Sequence, residues 1–467
     1  MNRWQRGIAS ILAFGLPMAL VGGSAVAAEL RPNVIVILTD DQGSVDAACY
    51  GSADLQTPAI DALAARGVRF TQFYAAAPVC SPSRAGLLTG RYPVRAGMPG
   101  NAGAPPSEAI SALEDVRDQA GSAWAQQTTM AEVFQAAGYA TAHVGKWHLH
   151  AHDGARPLDQ GFEQSFGHMG GCIDNYSHVF YWSGPNRHDL WRGNTRVRAT
   201  GEFFPDLMVR EATAFMERSG DRPFFLYFAM NCPHYPYQGE ADWLETYADL
   251  PFPRNLYAAF LSSQDERIGT LLATLKRLGI DDDTIVVFQS DHGHSTEERA
   301  HGGGGSAGPY RGAKFSLFEG GIRVPAIISW PGHLPEGEVR EQVAHSCDWL
   351  PTLVELCGIA PLTHDVDGAS LTAMIRGADE PSPHEALHWT IGESWAVRQG
   401  PWKLQGKPND TSGKAAITAS DALYLTNLQD DATEMTNLAA AHPDVVERLQ
   451  QVHDTWVQSL QRVQGEN

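Results

Sequence analysis

Residues Asn33-Val34-Ile35-Val36-Ile37-Leu38-Thr39 form an unbroken, largely β-branched run. A run with no polar face predicts a strand covered on both sides, as in a parallel sheet. Phe224 to Met230, after Arg222-Pro223, and Thr284 to Ser290, after Asp281-Asp282-Asp283, read the same way. Pro325 to Trp330 is a fourth such run, and Tyr139 to Val144 is strand-like. Helical patterns lie between them at Pro58–Arg66, Thr129–Ala137 and Leu256–Leu278. This alternation predicts a large α/β domain with a mixed, mostly parallel central sheet between helices. After about Ile359 the texture changes. Short strands at Trp395–Arg398, Lys403-Leu404 and Ala422–Leu425 precede a final helix, Pro443–Arg462. They predict a smaller C-terminal α+β domain with a short antiparallel sheet. The expected division is a leader over 1–28, a main domain over 29–358 and a C-terminal unit over 359–467.

The leader is read from Arg3 and Arg6, the apolar stretch Ile8 to Val21 and the small residues Ala25-Val26-Ala27-Ala28. It predicts export to the periplasm or the medium, and its apolar stretch is too short for a permanent membrane span. The formal charge of the chain is −20, and loss of Arg3 and Arg6 makes it more negative still. Nucleic acid and anionic membranes are therefore excluded as partners. An anionic substrate needs a local cluster of cations to overcome that far field. The six cysteines stand at 49, 80, 172, 232, 347 and 357. A chain of 467 residues buries enough core to need no staples, which favours buried free thiols over a disulfide framework.

Ligands of open α/β sheets bind at the carboxyl ends of strands, so the polar residues just past each run carry the interest. The first run ends in Asp40-Asp41, the third in Asp291-His292-Gly293, and the second leads into Cys232-Pro233-His234-Tyr235-Pro236. Gly145-Lys146-Trp147-His148 follows the strand-like segment, and Arg311-Gly312-Ala313-Lys314 precedes Phe318-Glu319-Gly320-Gly321-Ile322-Arg323-Val324-Pro325. Each alone has an ordinary explanation as a cap, a turn or a surface lysine. Adjacent carboxylates held close together, however, call for a cation, and oxygen ligands favour calcium or magnesium.

The segment Cys80-Ser81-Pro82-Ser83-Arg84-Ala85-Gly86-Leu87-Leu88-Thr89-Gly90-Arg91 places a cysteine before a Ser-Pro step, an arginine and a short helical run closed by glycine. It resembles the type I sulfatase signature, C-x-P-S-R-x-x-L-x-T-G. The family's other motifs, D-D, G-K-W-H, P-H-x-P, S-D-H/N-G and K followed by E-G-G-x-R-x-P, are present in the family's order. Ala422-Leu423-Tyr424-Leu425-Thr426-Asn427-Leu428 with Glu434-Met435-Thr436-Asn437-Leu438 is similar to its closing domain.

The resemblance implies that Cys80 is oxidised to formylglycine (3-oxoalanine) by a maturation enzyme and that its hydrate is the nucleophile. It implies a cation, Ca2+ or Mg2+, held by Asp40, Asp41, Asp291, His292 and the modified Cys80. His292 stands where many relatives have Asn. Arg84 is expected against the formylglycine, with Lys146, His148, His234 and Lys314 around the sulfate. Asp291 is the expected base, and His234 the expected acid, with Lys314 close by.

The stretch from Cys172 through Trp191-Arg192 is rich in Tyr, Trp, His and Arg and reads as a loop insertion suited to sugars bearing extra anions. Its Asp174-Asn175-Tyr176-Ser177-His178 wording is similar to sulfatases of N-acetylgalactosamine sulfates, which makes His178 a candidate substrate ligand. The expected partner is a sulfated carbohydrate. Two alternatives stay open: a phosphonate or phosphate monoester hydrolase of the same superfamily, and a non-catalytic, calcium-dependent glycan-binding protein.

Overall fold

The computed structural model describes residues 31–102, 124–150, 154–182 and 184–462. The expected leader lies outside them. Ten strands build the main sheet: β1 (Asn33–Thr39), β2 (Val68–Phe70), β3 (Ala140–Lys146), β4 (Gln164–His168), β5 (Trp191–Arg192), β6 (Thr195–Arg196), β7 (Phe224–Ala229), β8 (Thr284–Ser290), β9 (Ala326–Ser329) and β10 (Glu338–Arg340). Their spatial order is β10-β2-β9-β8-β1-β7-β3-β4-β5-β6. The block β8-β1-β7-β3-β4 is parallel throughout, with β1 between β7 and β8.

The period of two is visible along β1. Val34, Val36 and Leu38 enter one apolar cluster, Ile35 and Ile37 the other, and all five are essentially inaccessible. Helices α1 (Pro58–Ala65), α2 (Cys80–Thr89), α3 (Met130–Ala136), α4 (Phe204–Ser219), α5 (Arg254–Leu278), α6 (Glu319–Ile322) and α7 (Trp349–Leu356) complete the main layers. Side chains of α1, α4 and α5 cover one face of the sheet, and those of α2, α3 and α7 the other. The start of α3 is a capping box: Glu132 N donates to Thr129 Oγ1 at 3.2 Å and Thr129 N to Glu132 Oε2 at 2.7 Å.

The run at 325–330 forms a strand, but an antiparallel one, paired with β8 and β2. A parallel neighbour needs a crossover to the opposite end of the sheet. The connection from Asp291 to Pro325 instead brings Lys314 beside Asp41 and re-enters where β8 ended. The insertion after Cys172 is likewise not all loop. Trp191–Arg192 and Thr195–Arg196 extend the main sheet, and Val179–Phe180 pairs with Arg187–His188. All six cysteines are unpaired, and all except Cys49 are buried.

Strands β11 (Leu387–Ile391), β12 (Ser394–Gln399), β13 (Trp402–Gly406) and β14 (Leu423–Asn427) form a separate antiparallel meander. One face packs on Tyr74, Leu317 and Ile322 of the main layers, and the other receives helix α8 (Pro443–Arg462) through Val446 and Leu449. On α8, His453 stacks on Trp395 at 4.2 Å between centroids, and Trp456 stacks on His388 at 4.7 Å. Burial pushes His388 down to about 3 and His453 to about 4. Both histidines fold uncharged, so their contribution is complete above the ordinary histidine range and is lost as pH falls from 6.5 toward 4. The melting temperature is expected to be level from pH 8 to 7 and to drop below pH 6, a loss on the order of 2–3 kcal/mol. His453→Phe keeps the stacking and should flatten that drop. Thermal melts of both proteins at pH 7 and pH 4.5 check this, and equal drops would refute it.

Candidate active site

Four neighbouring parallel strands deliver the polar residues. Just past β1 come Asp40 and Asp41. Asp41 adopts a left-handed backbone (φ 63°), which Asp tolerates better than most residues. Just past β8 come Asp291 and His292, and Asp41 N donates to Asp291 Oδ1 at 3.2 Å. Strand β3 ends on Lys146. The preceding Gly145 sits at φ 119°, where a Cβ would lie 1.9 Å from the Ala229 carbonyl oxygen of β7. The chain leaving β7 reaches His234, and Asp40 N donates to Cys232 O at 3.0 Å.

Helix α2 begins at Cys80 and all ten of its residues are buried. Its polar residues tie neighbouring motifs together. Ser81 Oγ donates to His148 O at 2.6 Å and Ser83 Oγ to Asp291 O at 2.5 Å. Arg84 Nη2 lies 2.9 Å from Asp291 Oδ2 and 3.5 Å from Asp40 Oδ1, and Nη1 donates to Lys146 O at 3.1 Å. The guanidinium thus bridges the two carboxylates.

Cys80 Sγ stands 3.3 Å from His292 Nε2, 3.4 Å from Lys146 Nζ and 3.8 Å from Asp40 Oδ1. Lys146 Nζ pairs with Asp40 Oδ2 at 2.6 Å, and Lys314 Nζ with Asp41 Oδ1 at 3.0 Å and Glu297 Oε2 at 3.2 Å. Burial alone would raise the Cys80 thiol, but the Lys146 and Lys314 ammoniums outweigh it and hold it below its ordinary range. The helix N-terminus acts in the same direction. Position 80 is therefore built to carry negative charge.

Burial opposes ionisation of Asp291, but His292, Arg84 and Lys146 keep it well below the usual carboxylate range. Burial pushes Asp41 up to about 8, against Lys314 and His292. His234 is kept neutral by burial, with Asp40 opposing and the two lysines assisting. Its Nδ1 faces the Tyr235 carbonyl at 2.6 Å, so that nitrogen carries the proton. The lone pair on Nε2 is left toward Asp41 Oδ2, 3.8 Å away. His234 can donate from Nε2 only after gaining a proton there.

The cluster fits a hard divalent ion on three observations. Ligand atoms of Asp40, Asp41, Cys80 and His292 lie within 4.8 Å of one another. Asp41 Oδ1 is buried and accepts no hydrogen bond, because the Lys314 ammonium that pairs with it at 3.0 Å donates to Oδ2 instead, at 3.1 Å. His292 Nδ1 lies 2.9 Å from the Gly293 carbonyl, which fixes the tautomer and aims Nε2 between Asp41 Oδ1 at 3.4 Å and Asp291 Oδ1 at 3.5 Å. Three carboxylates here face the fixed cations Arg84, Lys146 and Lys314. A divalent ion would tip that balance positive and make the pocket a receptor for an anion.

His148 is half-buried and takes φ 53°, and its inaccessible Nδ1 has no hydrogen-bond partner. Its ring lies against Gly171, where a Cβ would come within 2.6 Å of the imidazole. Gly171→Ala is expected to displace the ring and lower kcat/KM at least about tenfold, the cost typical of a misplaced group. Turnover of an aryl sulfate, alongside an unchanged circular dichroism spectrum, checks it.

His178 makes its contacts elsewhere. It is buried, with Nε2 3.1 Å from the Glu202 carbonyl oxygen and its ring beside His188 and Phe204. The D-x-Y-S-H segment is a turn in which Asp174 Oδ1 accepts from Tyr176 N, Ser177 N and Ser177 Oγ. Tyr235 and Glu297 were not legible in the sequence. Tyr235 Oη donates to Glu297 Oε2 at 3.1 Å, the same oxygen that Lys314 pairs with.

This fold is that of a known class of hydrolase. The sulfatase family matches residues 32–359, and the C-terminal domain of N-sulphoglucosamine sulphohydrolase matches residues 312–462. The chain belongs to the sulfatase family. It is 36% identical to human arylsulfatase A over 94% of this chain and 89% of that protein. It is 32% identical to dog N-acetylgalactosamine-6-sulfatase over 94% and 87%. Among solved structures, Ps i-CgsB superposes with a TM-score of 0.78 at 26% identity, covering 91% of this chain and 92% of that one. That protein is also known in complex with k-i-k-neocarrahexaose. The chain is a sulfuric ester hydrolase.

Proposed function

We propose that the protein removes sulfate from a sulfated carbohydrate, using a formylglycine hydrate at position 80 as nucleophile and releasing inorganic sulfate. The observation that carries this is the placement of Cys80 Sγ, at the tip of a buried helix and within 3.8 Å of His292, Lys146 and Asp40. The relatives named for N-acetylgalactosamine-6-sulfate and the neighbour bound to neocarrahexaose support a sugar as the alcohol. The leader at 1–28 fits export to the periplasm or the medium, where such glycans are met. No helix among the described residues is long and apolar enough to cross a membrane.

Asp40, Asp41, Asp291 and His292, with the modified residue 80, would hold calcium or magnesium. Such an ion polarises a sulfate oxygen and lowers the pKa of a neighbouring hydroxyl. Lys146, His148, His234 and Lys314 hold the remaining sulfate oxygens. One hydroxyl of residue 80 attacks sulfur in line, and its proton goes to Asp291, which Arg84 keeps ionised and oriented. The S–O bond to the sugar breaks, and the departing oxygen takes a proton from the Lys314 ammonium, or from His234 once its Nε2 has gained one. His148 then takes the proton of the second hydroxyl, the C–O bond to sulfate breaks, and the aldehyde returns.

The test is release of sulfate, phosphate or phosphonate from matched aryl esters, followed by sulfated saccharides. A kcat/KM for the sulfate ester at least about a hundredfold above the others supports the assignment, since one positioned electrostatic group alone is worth that much. Preference for phosphonate or phosphate esters would overturn it. Glycan binding without turnover by matured protein would favour a binding protein.

A further inference from the structure

An aromatic path leads outward from the sulfate pocket. The Tyr235 ring lies 4.1 Å from that of His234, and Lys314 Nζ is 5.8 Å from the Tyr235 centroid. The Trp182 ring follows, 6.2 Å from Tyr235 and 43% exposed. The Arg299 guanidinium sits 4.4 Å over the Trp182 ring, and its Nη2 donates to the Trp182 carbonyl at 3.3 Å. This outer end is fixed relative to the reacting end. Tyr181 Oη donates to Tyr235 O at 3.0 Å, and Glu297 joins Tyr235 Oη to Lys314.

Two features mark this end as more than packing. A large indole left half in water has a cost that burial would have removed. Arg299 is exposed, yet it enters no ion pair among the described residues of a chain with 54 acids and 34 bases. The segment from Cys172 to Ala199, which carries Trp182, is also locally basic, with Arg187, Arg192, Arg196 and Arg198 against Asp174 and Asp189, although Arg192 is paired with Glu211. Asp174 is engaged in its own turn, and Asp189 accepts from Gly170 N and Trp191 Nε1.

We propose that Trp182 and Arg299 form an outer subsite for a second, anionic sugar residue. The preferred substrate is then an oligosaccharide with at least two anionic groups, one cleaved and one held at Arg299. The apolar face of that sugar packs on the exposed part of the indole, and the guanidinium takes its sulfate or carboxylate in a charge-assisted pair. This rests on the reading of a sulfated carbohydrate as substrate.

The experiment compares matured wild type, Trp182→Ala, Arg299→Ala and Arg299→Lys. The probes are 4-nitrophenyl sulfate, N-acetylgalactosamine 6-sulfate, and chondroitin and carrageenan oligosaccharides. For Arg299→Ala, kcat/KM on the multiply charged oligosaccharides, divided by that on the aryl sulfate, should fall about tenfold, through KM. Arg299→Lys should recover part of the loss, and the ratio for the singly sulfated sugar should move less. Trp182→Ala should lower the ratio for oligosaccharides of either kind. Ratios within about twofold of wild type while wild type cleaves the saccharides would overturn the subsite and leave the sugar reading standing. Cleavage of the aryl sulfate alone by wild type would overturn both.

Discussion

Cys80→Ser is expected to fall by at least about 10³-fold in kcat, because losing the nucleophile of a hydrolase costs up to on the order of 10⁶. The substitution is nearly isosteric at a site 2% exposed, so folding is not the cause. The chemistry is. A serine hydroxyl at the tip of α2 faces the same lysines and carboxylates and can still attack sulfur. It has no second hydroxyl whose proton His148 could take, so the C–O bond to sulfate cannot be broken in that way. The variant should therefore react once and stop. After incubation with an aryl sulfate, its intact mass should rise by about 80 Da, one sulfuryl group retained on the nucleophile. Continued multiple turnover by Cys80→Ser would contradict the role given to position 80.

The largest expected loss of stability lies away from the chemistry, at Lys403. Its side chain is fully buried on β13, with Nζ 2.9 Å from Glu319 Oε1 and 3.2 Å from Glu434 Oε1. Glu319 also accepts from Tyr74 Oη at 2.6 Å and pairs with Arg323 at 3.3 Å. Glu434 Oε2 accepts from Glu319 N at 2.5 Å. Burial and the neighbouring Glu319 push Glu434 up to about 7, although Lys403 opposes them, while Glu319 is held down to about 2 by Lys403 and two arginines despite its burial. Lys403→Met leaves two adjacent buried carboxylates without their shared cation. The expected cost is about 3–5 kcal/mol, the usual penalty for breaking a buried pair on one side. Adding Glu434→Gln removes one stranded charge and should recover part of that loss. Denaturant melts of the three proteins check it, and a cost below about 1 kcal/mol for Lys403→Met would refute it. The cluster also reaches the site. Glu319 opens α6, and Gly293 N donates to Gly321 O at 3.0 Å, so the C-terminal meander braces the segment behind His292 and Lys314.

That cluster shows what was legible in the sequence and what was not. Asp40-Asp41 and Asp291-His292 stood out because they follow continuous apolar runs, and parallel strands present their ends to ligands. The E-G-G-x-R-x-P and E-M-T-N-L segments were legible as motifs, but not as two halves of one buried ion cluster. Ion pairs between distant positions leave no period in the chain. Helix α4 was overlooked because it follows the aromatic insertion with no side-chain cap at Phe203. The three residues of β2 are too few to show an alternation. Cys80 was visible as a signature, while its polar neighbours Ser81 and Ser83 became intelligible only as ties to His148 and Asp291.

Residue 80 is expected to work as formylglycine. This is tested most directly by the mass of the tryptic peptide containing Cys80, from protein made in its native host. The peptide is expected to be about 18 Da lighter than its cysteine form and to be captured by an aldehyde reagent. An unmodified thiol in fully active protein would contradict it.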